Sequence, residues 1–366
     1  MKVPFHDVAV QYREHRDEID AAVRGVLESG IYISGAEVVA FEQEFARYLG
    51  VAHVVSVNSG TDALLLSLRA LGIGDGDEVI VPAYTFLATA QAVHLAGAAP
   101  RFADCGTDSF NVDVDSVASA LTKKVKAVIP VHLFGMPVDL APIQRFCDAN
   151  RIHMIEDAAQ ATGARCGDRH VGNIGVAAAF SFYPTKNLGG CGDGGAISCN
   201  DEALAARLRH LRNHGFNDEG HVEPGINSRL DAMQAAILRV KLPHLDAWNV
   251  RRVALARRYE AALSGTRCRW LHDERDGRCS VFHRFVVVHP QRDALREFLS
   301  RNGVETAVYY ETPCHLRAPF AHDPTRRTLP VAERWSREAL ALPLYPELSD
   351  AGVDRVIELV HRFEQG

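Results

Sequence analysis

Lys186 stands in FSFYPTKNLGG, residues 180–190, where an apolar strand runs into a Pro-Thr turn and glycines follow. A lysine fixed at a strand end beside Phe180, Phe182 and Tyr183 is placed to lose part of its basicity. Its neutral amine can then form a Schiff base with a carbonyl compound. Asp157 ends a second apolar strand in IEDAAQ, residues 155–160. In open α/β sheets ligands sit beyond the carboxyl ends of the strands. A carboxylate there either caps the next helix or holds a proton on a ring nitrogen, as pyridoxal phosphate needs if its ring is to accept electrons. In NSGTDALLLSL, residues 58–68, Ser59, Gly60 and Thr61 lie where strand gives way to helix. Free N–H groups at a helix start favour an anion such as phosphate, although the same residues also make a good cap. Ser181 is a further phosphate candidate, or a small residue facing inward.

Other patterns lead elsewhere. Gly190, Gly192 and Gly195 spell G-x-G-x-x-G, but a lysine turn precedes them and strand-like Ala196–Cys199 follows. A dinucleotide site needs a strand before and a helix after. The glycines are read instead as letting backbone pass close to the lysine turn. His132, in PVHLFG, sits at a strand end and is a residue to place against the site. His210 and His214 suit a helix C-terminus electrostatically, HExxH is absent, and no metal is expected. The eight cysteines form no C-x-x-C pair and read as isolated thiols of a reducing compartment. Net charge is −6, so a nucleic-acid or anionic-membrane partner is not expected, and an anionic substrate needs a local basic site. No apolar run approaches the roughly 20 residues of a membrane helix. The first residues lack the apolar stretch of a secretory signal. A cytoplasmic protein is the expectation.

The elements that position these residues alternate. Strands are expected at 53–57, 78–81, 125–131, 153–155, 177–182 and 196–199. Helices are expected at 60–71, 85–95 and 140–149, and after a capping box from Ser34 to Glu37 that opens a helix closed by Gly50. This is the pattern of an α/β fold with a large, mixed but mostly parallel sheet. A helical stretch from 229 to about 263, broken at Pro243, leads to shorter elements: a strand at 282–288, a helix at 293–301, a strand at 305–310 and two closing helices. The expected division is a large domain, 1–245, and a smaller C-terminal α+β domain, 246–366.

At these residues the chain resembles the DegT/DnrJ/EryC1/StrS sugar aminotransferases, a branch of the fold type I pyridoxal-phosphate enzymes. The resemblance runs from VPFHDVAVQYREHRDEID to LPLYPELSD. It includes SGTDAL, GDEVIVPAYTFLATA, IPVHLFG, MIEDAAQ, FSFYPTKNLG, GDGGAI, LRNHG and NSRLDAMQAAILRVKL. It implies that Lys186 carries the cofactor and moves the proton, and that Asp157 pairs with the pyridine nitrogen. Gln160 would contact the ring hydroxyl, and Phe86 would stack on the ring. Gly60, Thr61 and Ser181 would hold the phosphate. Asn227 would reach it from the partner subunit of a homodimer with shared sites. The implied reaction moves an amino group from an amino acid, usually glutamate, to a nucleotide-linked keto-sugar. Members with histidine at the lysine position are dehydratases, and Lys186 argues against that branch. RVKLPHLDAWNVRR is similar to members that aminate carbon 3 of dTDP-3-oxo-6-deoxyhexoses, with carbon 4 or carbon 2 as alternatives. The stretch YYETPCHLR, residues 309–317, keeps His315 but departs from the family pattern at Tyr309, Glu311 and Arg317. Arg229, Tyr309, His315 and Arg317 are the residues expected near the sugar nucleotide.

Overall fold

A computed structural model describes residues 1–271, 274, 277–321 and 327–366. Seven strands form the large sheet: β1 (His53–Val57), β2 (Glu78–Pro82), β3 (Ala99–Ala103), β4 (Val125–Val128), β5 (His153–Asp157), β6 (Ala177–Ser181) and β7 (Gly195–Cys199). Their order is β1-β7-β6-β5-β4-β2-β3. β7 is antiparallel to both neighbours, and every other pairing is parallel. Parallel strands covered on both faces read as nearly unbroken apolar runs, and EVIVP and AAAFS are buried along almost their whole length, as is the antiparallel edge strand HVVSV. Helices Gly60–Ala70 and Glu202–Leu211 pack with one face, contributing Leu64, Leu66, Leu68, Ala205 and Leu208. The other face packs Phe41 and Phe45 of helix Ala36–Leu49 against Phe180 and Phe182.

Past Lys241 a short 3-10 turn containing Pro243 leads into helix Leu245–Leu263. Leu245 lies in the large core, while Leu255, Tyr259 and Leu263 lie in the next, so this helix bridges the two. A three-stranded antiparallel sheet (Arg269–Trp270, Phe285–Val288, Ala339–Leu342) carries helices Arg292–Arg301 and Asp350–Gln365. Val3 joins this second core and bridges to Val304, so the chain's first residues pack with its last third. A shared apolar cluster joins Tyr84, Phe110 and Phe134 of the first body to Val286, Leu329 and Trp335 of the second.

Several expected elements differ in detail. Helix Ala36–Leu49 is capped by Gly35 and not by Ser34, which takes a left-handed φ of 59°; Gly50 does close the helix. Helix Ala88–Leu95 starts three residues later than expected, leaving Thr85 to Leu87 as connecting backbone. Residues 305–310 form no strand; Ala307 makes a single bridge to Ala341. Strand β3 was not expected. It lies at the sheet edge, where its Pro100 is tolerated. Among the described residues no helix is long and apolar enough to cross a membrane, and all eight cysteines are free.

Candidate active site

The parallel strands end along one edge of the sheet, and the loops beyond them enclose a cavity of about 630 Å³. β1 delivers Ser59, Gly60 and Thr61. β2 delivers Thr85 and Phe86, β5 delivers Asp157 and Gln160, and β6 delivers Ser181, Tyr183 and Lys186. The second body closes it with His283, Arg284, Tyr309 and Tyr310.

Lys186 is fixed through its backbone, whose N–H donates to the Tyr183 carbonyl at 2.8 Å. Gly189 permits the tight turn, since a Cβ there would lie 2.4 Å from the Pro184 carbonyl oxygen. Burial pulls the Lys186 pKa down to about 8; the positive charge of Arg284 adds to this, and Asp157 opposes it. Lysine deprotonates readily when desolvated, which is what Schiff-base chemistry needs.

Asp157 is 5% exposed. Its Oδ2 accepts from Thr89 Oγ1 at 2.8 Å and its Oδ1 from the Ala159 N–H at 3.2 Å. Burial raises its pKa, against the pull of the Thr89 and Ala159 hydrogen bonds and of Lys186. The neighbouring Glu156 points to the opposite side of the strand, as alternation requires. There it is buried and accepts from the Gly172, Ile174 and Gly175 amides at 2.8, 2.8 and 2.7 Å, with His132 Nε2 at 3.2 Å. Burial opposes its charge, but the His132 contact and these amides outweigh that and hold its pKa below the ordinary value. His132 is therefore a buried brace behind Asp157, with no exposure, and does not line the cavity.

Helix Gly60–Ala70 begins at the cavity, capped by Ser59 Oγ, which accepts from the Asp62 N–H at 3.1 Å. Gly195 lets this terminus close on the sheet: a Cβ there would lie 2.4 Å from the Ser59 carbonyl carbon and 2.7 Å from the Gly60 nitrogen. Of the three glycines, only Gly195 serves close backbone approach; Gly190 and Gly192 instead face the Gln234 side chain, where a Cβ would lie 2.8 and 3.0 Å from its amide atoms. Gly60 in turn abuts Ser181, whose Cβ lies 3.0 Å from where a Gly60 Cβ would stand. Phe86 turns a ring 58% exposed toward this space. Gln160 Oε1 accepts from the Phe134 N–H at 2.9 Å, and its Nε2 donates to the Tyr310 hydroxyl at 3.1 Å.

Of the residues expected from sequence, Lys186, Asp157, Gly60, Thr61, Phe86, Gln160, Ser181 and Tyr309 line one cavity, while Asn227, Arg229, His315 and Arg317 do not. Asn227 bridges to Asn213 outside it, and Arg229 Nη1 donates to Asn213 Oδ1 at 3.0 Å. His315 is 1% exposed with Nε2 3.4 Å from Glu333, and Arg317 Nε donates to the Thr312 carbonyl at 3.2 Å. Thr89, Tyr310, His283 and Arg284 escaped sequence reading. The i, i+4 threonines in TFLATA and the arginine inside VFHRFVVV were the available signals.

These donors fit pyridoxal phosphate. Open N–H groups at a helix start suit its phosphate, an exposed aromatic face suits its ring, and the buried Asp157 carboxylate suits its protonated ring nitrogen. Fold and site together define a fold type I pyridoxal-phosphate aminotransferase. The model of the DegT/DnrJ/EryC1/StrS aminotransferase family matches residues 13–361, and the chain belongs to that family. It is 45% identical over 366 residues to the dTDP-3-amino-3,4,6-trideoxy-alpha-D-glucose transaminase of Streptomyces venezuelae, covering 100% of this chain and 97% of that protein. It is 41% identical over 365 residues to the UDP-N-acetyl-3-dehydro-alpha-D-glucosamine 3-aminotransferase of Acidithiobacillus ferrooxidans, covering 100% and 98%. The crystal structure of S. venezuelae DesV in complex with a ketimine intermediate matches with a TM-score of 0.97 and 45% identity, covering 100% of this chain and 99% of that one.

Proposed function

We propose that this aminotransferase moves the amino group of an amino acid, glutamate, to carbon 3 of a nucleotide-linked keto-deoxysugar. The acceptor is a dTDP-3-oxo-6-deoxyhexose and the product its 3-amino sugar. The observation that carries the chemistry is Lys186, with its depressed pKa, in one cavity with the buried carboxylate of Asp157. Support for carbon 3 comes from the relatives, whose names place the amine there on both a dTDP sugar and a UDP sugar.

Pyridoxal phosphate, when bound, supplies a reactive carbonyl carbon and a ring that accepts electrons. Gly60, Thr61 and Ser181 would hold its phosphate, Phe86 and Gln160 its ring, and Asp157 its ring nitrogen. Lys186 Nζ would move one proton between substrate carbon and cofactor within each half of the cycle, off the donor's amine-bearing carbon in the first and onto carbon 3 of the sugar in the second. Asp157 would hold the proton on the ring nitrogen through a charge-assisted bond, and the Thr89 hydrogen bond favours the ionised form of Asp157 against the effect of burial.

The reading includes a homodimer in which Asn227 serves the partner's site. Asn227 lies beside the hairpin Phe216–Asn217 and Gly220–His221, on which Phe216 is exposed. The exposed Ile31, Tyr32 and Ile33 adjoin Asp231, four residues further on, through a bridge from Ile33. Exposed apolar residues next to a candidate ligand are what a shared-site interface requires. The reading places the enzyme in the cytoplasm.

The test is turnover of isomeric keto-sugar nucleotides, dTDP- and UDP-linked, with glutamate, followed by NMR of the product. Nitrogen on carbon 3 of the dTDP sugar is the expected result. Amination only at carbon 4 or carbon 2, or loss of a hydroxyl without nitrogen gain, overturns it.

A further inference from the structure

Arg284 shares the cavity wall with Lys186 and is 5% exposed. Its guanidinium lies 5.1 Å from the centre of the Phe5 ring and 5.8 Å from that of Tyr309, and its Nη1 donates to the His283 carbonyl at 3.3 Å. Its Nε has no hydrogen-bond partner. Among the described residues no carboxylate pairs with it. A second guanidinium stands near. Arg252, 2% exposed, directs Nη1 to the carbonyls of Phe282, His283 and Leu344 at 3.3–3.4 Å, and the two charges repel.

A buried guanidinium with no acid beside it is costly, and a bound anion offsets that cost. The flat guanidinium fork matches a carboxylate. We propose that Arg284 receives the α-carboxylate of the amino donor. This rests on the amino-acid donor of the proposed function and adds the residue that recognises it.

The choice of the α-carboxylate follows from where Arg284 stands. It lines the same cavity as Lys186, on the wall that the second body supplies. Lys186 must reach the donor's amine-bearing carbon, and the α-carboxylate is bonded to that same carbon. The side-chain carboxylate of glutamate is several bonds further out. A keto-sugar carries only neutral ring carbons next to its reacting carbon, so Arg284 serves the donor half of the cycle and not the sugar half.

The test uses holoenzyme, wild type and the variants Arg284→Gln and Arg284→Lys, with each half-reaction followed in single turnover by cofactor absorbance. Three donors are compared: glutamate, 2-aminobutyrate, which keeps only the α-carboxylate, and 4-aminobutyrate, which lacks it. In Arg284→Gln the half-saturating glutamate concentration should rise about 10- to 100-fold relative to that of the keto-sugar nucleotide. The preference for 2-aminobutyrate over 4-aminobutyrate should collapse, and Arg284→Lys should recover part of both. Unchanged donor saturation, or equal losses in both halves together with a lowered Tm, overturns the assignment. A wild-type enzyme that accepts no amino-acid donor at all refutes the proposed function instead.

Discussion

The lowered basicity of Lys186 can be read directly by how fast the cofactor-free enzyme captures pyridoxal phosphate. Only the neutral amine attacks an aldehyde. With a pKa of about 8 in place of 10.5, roughly a quarter of the chains carry neutral Lys186 at pH 7.5, against about a thousandth for an ordinary lysine. Capture should therefore be about two hundred times faster than at a solvated lysine of equal reach. Its rate should climb about tenfold per pH unit up to about 8 and then level off. Two substitutions should move that midpoint in opposite directions. Asp157→Asn removes the carboxylate that favours the ammonium, so the midpoint should fall. Arg284→Gln removes a cation that disfavours it, so the midpoint should rise. Stopped-flow absorbance between pH 6 and 10 provides the curve. A rate still climbing tenfold per unit beyond pH 9.5, or midpoints that shift the same way, would refute the electrostatic account of the site.

Thr89→Val deletes a hydrogen bond to the Asp157 carboxylate of the kind worth about 1.5–3 kcal/mol. That bond favours the charged form, so Asp157 should hold its proton to higher pH and the acid limb of the kcat profile should move upward; an unmoved limb counts against the role. Glu156→Gln replaces a buried carboxylate that accepts from three amides and contacts His132, and should cost about 1.5–3 kcal/mol of stability, read from denaturant melts. Because the folded Glu156 pKa lies below its unfolded value, its contribution is complete above about pH 5 and fades as pH falls through the folded pKa. Wild type and variant should then converge in acid, and a gap independent of pH speaks against the charge. Mixed dimers of Lys186→Ala and Asn227→Ala chains should regain activity through one intact site; no recovery in a verified heterodimer, when each parent is severely impaired, argues against sharing.

The alternation of strand and helix was legible because its buried parallel strands are continuous apolar runs, and Lys186 and Asp157 stand at the ends of two of them. β3 was not legible, since Pro100 and Arg101 look unlike a strand until the sheet edge is known. Ser34 offered a good capping sequence, yet the bridge from Ile33 to Asp231 and the left-handed turn at Ser34 gave the cap to Gly35. Tertiary pairing overrode local preference there. The resemblance supplied most of the expected cofactor residues, and all but Asn227 line one cavity. The cavity's arginine was a different matter. Arg229 and Arg317 were the expected anion holders, but each spends a donor on its own neighbourhood, and only the folding of the second body over the strand ends puts Arg284 there.

The place of β1 in the sheet has a consequence for biosynthesis. β1 pairs only with β7, about 140 residues later in the chain. Until residues 195–199 have left the ribosome, the first strand has no edge to join. Pairings this distant in sequence form slowly, because a long loop must close before any contact rewards it. A nascent chain halted before Gly195 already contains Gly60, Thr61, Asp157 and Lys186, yet the strand that leads into Gly60 and Thr61 is still unpaired. A complete sheet therefore requires its first and last strands in chain order to have paired.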